Sequence, residues 1–278
     1  MENVKNSLVL FDVDGTLTEP RQRINKDILN SLKELSFVTE IGLLTGSNLE
    51  YIKEQLWPLL ADPELSLNCH VLPCNGTEYY IPNPDSPGNF IEIHKNSMWQ
   101  KLGFEKFQIV MKTLMMLQAD LSSRDYDISY TGHHIQNRDS MINWSPIGRN
   151  ANNGERSQFI AIDKIYGIRN CYIEKFRKEM LTNSIDDVTI KLGGDTSFDV
   201  YPEGWDKTYA LKHFPSDSWD AFFVGDRCSP NGNDYEIFNK LGELGRSFET
   251  GGPEETIEII DIHLHKLLGE LDSDICYF

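Results

Sequence analysis

The sequence predicts an α/β protein in which a parallel β-sheet core is interrupted by an inserted α+β domain. The segment Ser7–Asp12 is a nearly continuous apolar run, as expected for a strand buried on both faces. Strand-like and helix-like segments then alternate to about residue 76, which is typical of a parallel sheet with helical crossovers. Segments typical of an α/β core return from Trp205, after a stretch of different composition. An interrupted core accounts for all three observations.

The elements of the first core segment follow from the spacing of apolar residues. Over Ile24–Leu35 they recur every three or four positions behind a capping residue, Asn25, which predicts a helix. Short apolar runs at Ile41–Leu44 and His70–Leu72 predict strands, and Asn48–Leu60 between them predicts a second helix. The sequence therefore predicts a strand, helix, strand, helix, strand order.

The inserted domain is expected to begin where the composition changes. Pro82–Asn89 is rich in proline, glycine and aspartate and is predicted to be a linker. The elements predicted beyond it are a methionine-rich helix, a polar loop, a second helix and two strands, at Phe107–Leu117, Asn150–Glu155, Asp163–Leu181, Val188–Leu192 and Phe198–Val200. The core resumes with a strand at Trp219–Val224 and a helix at Glu254–Leu268. These elements divide the chain into core residues 1–85 and 205–278 and an inserted domain at residues 86–204.

Composition and charge exclude several classes of protein. The net charge of -17 repels nucleic acid and anionic lipid, so neither is expected as a partner. No apolar run approaches the roughly 18 residues of a membrane span, and the start of the chain lacks the features of a signal peptide. The cysteines are scattered and odd in number: Cys69, Cys74, Cys171, Cys228 and Cys276. We expect reduced thiols in a cytoplasmic protein, and neither a disulfide framework nor a zinc site.

Two carboxylates follow the first strand directly, in the sequence Asp12-Val13-Asp14-Gly15-Thr16. In open α/β sheets, ligands bind beyond the carboxyl ends of the strands. Gly15 allows a sharp turn there, so both carboxylates can point into one crevice. One carboxylate can attack phosphorus and form an aspartyl phosphate, and the other can protonate the leaving oxygen and deprotonate the incoming one. Magnesium suits such oxygen ligands, although an acidic turn without a function would have the same sequence.

Three further elements lie at predicted strand ends or helix starts. Thr45 and Ser47 end the second strand, where a hydroxyl could bind a phosphate oxygen. Lys207 could neutralise a phosphoryl group during its transfer. Asp226, with Asp234 eight residues later, could bind a metal ion. Each element alone is also compatible with an ordinary turn, a solvated lysine or an acidic loop, but their order along the chain favours one site.

Together these elements resemble the four motifs of the haloacid dehalogenase superfamily. The resemblance implies a Rossmann-like core, with Asp12 as the nucleophile and Asp14 as the acid and base. It also implies Lys207 as a catalytic group and Thr45 or Ser47 as a phosphate-binding hydroxyl. Magnesium would lie near Asp12, Asp14, Asp226 and Asp234.

A closer resemblance, to eukaryotic-type phosphomannomutases, covers most of the chain. It rests on the stretches 145–149 (SPIGR), 197–200 (SFDV), 204–207 (GWDK) and 232–238 (GNDYEIF). The resemblance implies that the substrate is bound by Arg21, Arg138, Arg149, Arg156, Ser197 and Asp199. Arginine forks hold phosphate through two hydrogen bonds, and several together would offset the acidity of the chain. For any single arginine, a surface ion pair is the alternative.

Three positions depart from the family pattern. Cys74 stands where a glutamate is usual, and Thr45 replaces a glycine. Lys240 occupies the position of an acidic residue that helps to bind a second, peripheral cation. The resemblance therefore gives no support for that second cation here.

The resemblance implies interconversion of mannose 1-phosphate and mannose 6-phosphate, with a hexose 1,6-bisphosphate as activator. The product would supply mannose 1-phosphate for GDP-mannose synthesis, and glucose phosphates are further possible substrates. Closure of the inserted cap domain would exclude water from the aspartyl phosphate. The resemblance also implies a homodimer joined through the cap domains.

Two other functions are compatible with the same residues. A sugar-phosphate phosphatase would share the core and differ only in passing the phosphoryl group to water. A non-catalytic sugar-phosphate-binding subunit would not require Asp12, Asp14, Lys207 and Asp226, whose presence argues against it. The cap arginines favour the mutase over the phosphatase.

Overall fold

The computed structural model describes residues 5–86, 88–230, 232–266 and 268. Its strands are β1 (Asn6–Phe11), β2 (Glu40–Leu44), β3 (Cys69–Leu72), β4 (Glu78–Pro82), β5 (Phe90–Lys95), β6 (Ile135–Asn137), β7 (Ile142–Trp144), β8 (Val188–Gly193), β9 (Ser197–Pro202), β10 (Trp219–Gly225) and β11 (Ser247–Glu249). Its α-helices are α1 (Lys26–Leu35), α2 (Leu49–Leu60), α3 (Pro63–Ser66), α4 (Met98–Leu102), α5 (Phe104–Ser122), α6 (Asn153–Tyr166), α7 (Ile168–Thr182), α8 (Tyr235–Gly242) and α9 (Pro253–Glu258).

Shorter helical segments complete the regular structure. Two are 3-10 segments, at Cys74–Gly76 and Lys207–Lys212, and a π-helical segment at Ile259–Leu264 continues α9. Leu267, near the end of the predicted last helix, and Cys276 lie outside the described residues. In the ranges that are described, no helix has both the length and the apolar character to cross a bilayer. The four cysteines in those ranges are free thiols.

The chain divides into two compact units. The core unit combines Met1–Lys95 with Asp206–Phe278, and the cap unit is Asn96–Trp205. The first boundary therefore lies ten residues later than the boundary expected after residue 85. Pro82–Asn89 does not link two domains, so that prediction was wrong. It connects β4 to β5, which pair in antiparallel fashion within the core sheet.

The core unit is built on a seven-stranded sheet with the order β11-β10-β1-β2-β3-β4-β5. The first five strands of that order are parallel, and β4 and β5 are antiparallel. Successive residues of β1 contribute to different cores: Val9 and Phe11 pack on one face of the sheet, and Leu8 and Leu10 on the other. The prediction of a central strand buried on both faces is confirmed. The parallel strands also bring their carboxyl ends to one edge of the sheet.

Helices α1 and α2 begin at asparagine caps. The Asn25 side chain accepts hydrogen bonds from the backbone N–H groups of Asp27 and Ile28, each at 3.0 Å. Asn48 caps α2 in the same way. Both predicted helices are therefore present, and their starts are fixed by the sequence.

The second of these helices is kinked. Leu56 has non-helical backbone angles, and Pro58 lies two residues beyond it. Pro58 has no N–H and cannot continue the helical hydrogen-bond pattern, which explains the kink. The carbonyl of Gln55 accepts a hydrogen bond from the backbone N–H of Ile24 at 3.0 Å. The kink is thereby tied to the segment that precedes α1.

The cap unit contains a four-stranded antiparallel sheet with the order β6-β7-β9-β8 and four helices. Two predictions for this unit were wrong in detail. The helix predicted over Asp163–Leu181 is divided at Gly167, whose φ of 62° lies in the left-handed region and ends α6. The loop predicted over Asn150–Glu155 contains the start of α6, because Asn152 and Glu155 form a reciprocal capping pair.

Candidate active site

Three carboxylates meet at the carboxyl edge of the core sheet. Asp12 follows β1, Asp226 follows β10, and Asp234 immediately precedes α8. One oxygen from each of them lies within 4.8 Å of the others. We call these residues the acidic cluster. β1 and β10 are parallel neighbours, with Phe11 opposite Val224, so the residues that follow the two strands are brought side by side.

Lys207 joins two members of the acidic cluster. Its Nζ donates hydrogen bonds to Oδ1 of Asp12 and to Oδ1 of Asp234, and the lysine side chain is fully buried. Lys207 begins a 3-10 segment whose start is capped by Asp206, which accepts a hydrogen bond from the N–H of Thr208 at 2.8 Å. From its sequence context this lysine was expected to contact the phosphoryl group. The structure places its ammonium group directly on the predicted nucleophile.

Burial and mutual repulsion shift the pKa values of these groups. Burial raises the pKa of Asp12 well above its usual value; Lys207 opposes this shift, and Asp234 and Asp226 add to it. Burial, followed by the nearby Asp234, raises the pKa of Asp226 to about 6. Burial alone would lower the pKa of Lys207, but Asp12 and Asp234 raise it above its ordinary value. The lysine is therefore protonated, and its single positive charge is shared between Asp12 and Asp234. Asp226 is half-buried, and its Oδ2 lies 3.6 Å from Nε of Arg227.

The acidic cluster fits a divalent cation. Oδ1 of Asp226 is buried and has no hydrogen-bond partner among the described residues, so it is available as a ligand. A Cβ at Gly15 would lie 2.3 Å from Oδ2 of Asp226, so only glycine leaves room for this carboxylate. Oxygen ligands with uncompensated negative charge suit a hard cation such as Mg²⁺. Three of the four predicted metal-binding carboxylates therefore lie together.

The fourth, Asp14, is held elsewhere. Its Oδ1 accepts hydrogen bonds from the backbone N–H of Arg21 at 2.8 Å, from Nε2 of Gln55 at 3.0 Å and from the hydroxyl of Tyr51 at 3.2 Å. The carboxylate does not belong to the acidic cluster, and its role as a metal ligand stays a prediction. Tyr51 and Gln55 were not predicted from the sequence. Their spacing of four residues on α2, directly after the predicted phosphate-binding hydroxyls, was the available signal.

Thr45 and Ser47 lie in the turn after β2, as predicted. Thr45 is buried, and its Oγ1 accepts a hydrogen bond from the N–H of Ser47 at 3.1 Å. The turn is joined to the segment after β3, because Cys74 donates its N–H to the carbonyl of Ser47 and Asn75 donates to the carbonyl of Thr45. Cys74 is buried and has a φ of 50°. The residue that departs from the family pattern is thus part of the backbone support of this turn.

A second polar cluster lies on the cap sheet. Asn143, on β7, is buried and donates its amide to Oδ1 of Asp199 at 2.8 Å and to Oγ of Ser197 at 3.2 Å. Its Oδ1 accepts a hydrogen bond from Nη1 of Arg149 at 2.9 Å. Nη1 of Arg138 lies 3.9 Å from Oδ1 of Asp199. Asn143 therefore connects residues that were predicted separately, and no feature of its sequence context indicated this.

The remaining predicted arginines lie in different surroundings. Arg156 donates a hydrogen bond from Nη1 to Oγ1 of Thr196 at 2.9 Å, and its Nη2 lies 3.9 Å from Oδ2 of Asp195. These contacts place Arg156 beside the chain segment that leads into Ser197. Arg21 belongs to the core unit; it is exposed, and its φ of 63° is left-handed. Its backbone N–H, rather than its guanidinium, makes the contact with Asp14.

Comparison with solved structures identifies the class of fold. The chain matches a mutant of the Plasmodium falciparum IMP-nucleotidase, solved with IMP bound, with a TM-score of 0.65 and 15% sequence identity, over 96% of this chain and 67% of that one. It matches the C-terminal domain of the C. albicans trehalose-6-phosphate phosphatase with a TM-score of 0.57 and 16% identity, over 95% and 92% of the two chains. Both have the haloacid dehalogenase fold, so the predicted fold class is confirmed.

Sequence comparison identifies the family. Residues 27–266 match the family described as eukaryotic phosphomannomutase. The phosphomannomutase of Saccharomyces cerevisiae is 36% identical over 258 residues, which cover 91% of this chain and 92% of that protein. Phosphomannomutase 2 of Dictyostelium discoideum is 34% identical over 262 residues, covering 94% and 98%. The chain therefore belongs to the eukaryotic phosphomannomutase family, and the prediction of an enzyme of this family is confirmed.

Proposed function

We propose that the chain interconverts mannose 1-phosphate and mannose 6-phosphate through a phosphorylated Asp12. The observation that carries the proposal is the contact between this buried carboxylate and Lys207, beside two further carboxylates, in a chain of the phosphomannomutase family. Lys207 bonds Oδ1 of Asp12, which leaves Oδ2 as the attacking oxygen. The lysine also opposes the rise that burial causes in the pKa of Asp12, and so favours the ionised form of the nucleophile.

The chemistry requires a nucleophile and a proton carrier. Oδ2 of Asp12 attacks a phosphorus of a hexose 1,6-bisphosphate, and the bond from that phosphorus to the sugar oxygen breaks. Asp14 gives its proton to the departing oxygen. In the second transfer a hydroxyl of the monophosphate attacks the aspartyl phosphate, Asp14 takes the hydroxyl proton, and Asp12 is released. This transfer forms a hexose 1,6-bisphosphate. The bisphosphate reorients and returns its other phosphate to Asp12, so the monophosphate that is released carries its phosphate at the other end of the sugar.

The acidic cluster supports a role for Mg²⁺, which Asp12, Asp226 and Asp234 would hold. The bound ion would supply positive charge to the phosphoryl oxygens. In this scheme Asp14 carries a proton and does not have to bind the ion. The sequence-based prediction of four metal ligands also included Asp14.

The polar cluster around Asn143 on the cap sheet supports recognition of the part of the substrate that does not react. Arg138 and Arg149 present guanidinium groups beside the Asp199 carboxylate and are joined to it directly or through Asn143. Guanidinium groups suit phosphate, and a carboxylate suits sugar hydroxyls. A site that combines both chemistries favours a phosphosugar over a simple phosphate ester. We assign Arg21, Arg156 and Ser197 to the same task on the strength of the family membership.

Measuring both possible products of mannose 1-phosphate tests the proposal. The protein is incubated with mannose 1-phosphate, Mg²⁺ and a catalytic amount of glucose 1,6-bisphosphate, and both mannose 6-phosphate and inorganic phosphate are measured. We expect mannose 6-phosphate without matching inorganic phosphate, dependence on the bisphosphate, and loss of both products in Asp12→Asn. Stoichiometric release of inorganic phosphate, indifferent to the bisphosphate, would contradict the mutase and establish the sugar-phosphate phosphatase.

We propose further that the mannose 1-phosphate serves GDP-mannose synthesis in the cytoplasm and that the protein is a homodimer joined through the cap unit. An exposed apolar surface on α4 and α5 supports the dimer. It includes Trp99, Phe104, Met115 and Met116, whose side chains are all more than half exposed. A second copy would cover this surface. Sedimentation of the wild type and of Met115→Glu tests this: we expect a dimer that the glutamate converts to a monomer, and a monomeric wild type would contradict it.

A further inference from the structure

The Asp14 carboxylate is anchored through a single oxygen. Its Oδ1 accepts all three of the hydrogen bonds described above, from the backbone of Arg21 and from the side chains of Tyr51 and Gln55. Three donors on Oδ1 fix the plane of the carboxyl group and leave Oδ2 as the oxygen that can exchange a proton. The rotation that a surface aspartate would have is thereby removed.

Helix α2 presents two of these donors because of its spacing and its kink. Tyr51 and Gln55 are four residues apart, so both side chains project from one face of the helix. The kink after Gln55 is tied to the segment before α1 by the hydrogen bond from Ile24, and Arg21 lies three residues before Ile24 on that segment. The three donors therefore lie on two backbone segments that a hydrogen bond joins.

The Gln55 side chain is oriented by its hydrogen bond to Asp14. Gln55 is buried, and its Oε1 has no hydrogen-bond partner among the described residues. A buried amide oxygen without a partner is unfavourable, so the amide is held in this orientation by the bond from its Nε2 to Asp14. Tyr51 is half-buried and approaches the same oxygen from the first turn of the helix.

We propose that the hydroxyl of Tyr51 is a positioning group for proton transfer, which holds Asp14 in the orientation that delivers a proton to the departing sugar oxygen. The proposal rests on the proposed function only in assigning proton transfer to Asp14. Gln55 and the backbone of Arg21 share the task, but the phenol is the group that can be removed without changing the shape of the side chain. Tyr51→Phe therefore isolates the hydrogen bond.

The test compares two phosphoryl donors that differ in their need for a proton. A sugar phosphate leaves as an alkoxide unless Asp14 protonates it, whereas acetyl phosphate leaves as acetate and needs no proton. For Tyr51→Phe we expect kcat for mannose 1-phosphate to fall about tenfold, with KM within about twofold. The pre-steady-state rate at which labelled acetyl phosphate phosphorylates Asp12 should stay within about twofold of the wild type. Asp12→Asn gives the background of the labelling.

A matched control removes a similar hydrogen bond elsewhere. The hydroxyl of Tyr172 donates to Oδ2 of Asp120 at 2.8 Å in the cap unit, and Tyr172→Phe should leave both reactions unchanged. Equal losses with both donors in Tyr51→Phe would show that Tyr51 supports the site in general, and unchanged rates would show that the hydroxyl is dispensable. Either result overturns the proposal. The comparison is made on total turnover of mannose 1-phosphate, so it holds whether the product is mannose 6-phosphate or inorganic phosphate, and the identity of that product reports separately on the proposed function.

Discussion

Replacing Lys207 with methionine should destabilise the protein far more than an equivalent change at the surface. Lys207 bonds Oδ1 of Asp234 at 2.5 Å, and both side chains are fully buried. Lys175 bonds Oδ2 of Asp120 at the same distance, but those side chains are 34% and 33% exposed. The two lysines therefore offer a comparison at one bond length between a buried lysine that bonds two carboxylates and a partly exposed lysine that bonds one.

The structure sets the size of the effect. Removing one partner of a buried ion pair costs about 3–5 kcal/mol, because the remaining charge has neither water nor a counter-ion. Exposed pairs contribute about 1 kcal/mol or less. We therefore expect Lys207→Met to lower the free energy of unfolding by about 4 kcal/mol at pH 8 without Mg²⁺. Lys175→Met should lower it by no more than about 1 kcal/mol.

The pH dependence gives a second check. The raised pKa values of Asp12 and Asp226 mean that the folded state binds protons more tightly than the unfolded chain, so stability is lost as the pH rises between the two pKa values. For Asp226 that window runs from 3.8 to about 6. The destabilisation of Lys207→Met should therefore be smaller at pH 5 than at pH 8. Saturating Mg²⁺ should also recover part of it, because only the folded protein presents the acidic cluster.

Urea denaturation of the wild type and both variants, at the two pH values and with and without Mg²⁺, measures these differences. Equal losses for Lys207→Met and Lys175→Met at pH 8 would refute the assignment of Lys207 as the counter-ion of the acidic cluster. A loss that grows as the pH falls would refute the assigned pKa directions.

Three further predictions concern metal and substrate. Protonation of the acidic cluster should weaken Mg²⁺ binding as the pH falls through the pKa of Asp226, about 6, by about tenfold or more for each pH unit below it, as measured by calorimetric titration. Gly15→Ala should abolish Mg²⁺ binding in the same assay, since its Cβ would lie 2.3 Å from Oδ2 of Asp226. Asn143→Ala should raise KM for mannose 1-phosphate about tenfold by releasing Arg149 from Asp199, and an unchanged KM in steady-state kinetics would contradict this.

The core could be predicted because its signals are local. An apolar run followed by acid and glycine specified β1 and the position of Asp12, and asparagine caps specified the starts of α1 and α2. The helix break at Gly167 was missed because apolar residues continue on both sides of it. The pairing of β4 with β5 was missed because residues 82–89 have the composition of a linker, and only the partner strand shows that they form a hairpin connection.

The residues of the candidate site also fall into those that the sequence predicts and those that it does not. Asp12 and Asp226 each follow a strand that the sequence predicts, so the parallel pairing of β1 and β10 brings them together. Asp234 precedes α8, a helix that was not predicted. Tyr51 and Asn143 act through contacts 37 and 56 residues away along the chain, to Asp14 and Asp199 respectively. Hydrogen bonds of that kind depend on side-chain directions in the finished fold, and no local pattern of residue types encodes them.

In both units a carboxylate of the candidate site packs closely against a glycine. A Cβ at Gly225 would lie 2.7 Å from Oδ2 of Asp234, and a Cβ at Gly193 would lie 2.7 Å from Oδ2 of Asp199. Gly15 stands in the same relation to Asp226. In each case glycine lacks the Cβ that would displace the carboxylate, so the space that the acid occupies requires glycine at these positions. A search for sites of this kind should therefore look for glycines on strands and turns that face acidic residues distant in sequence.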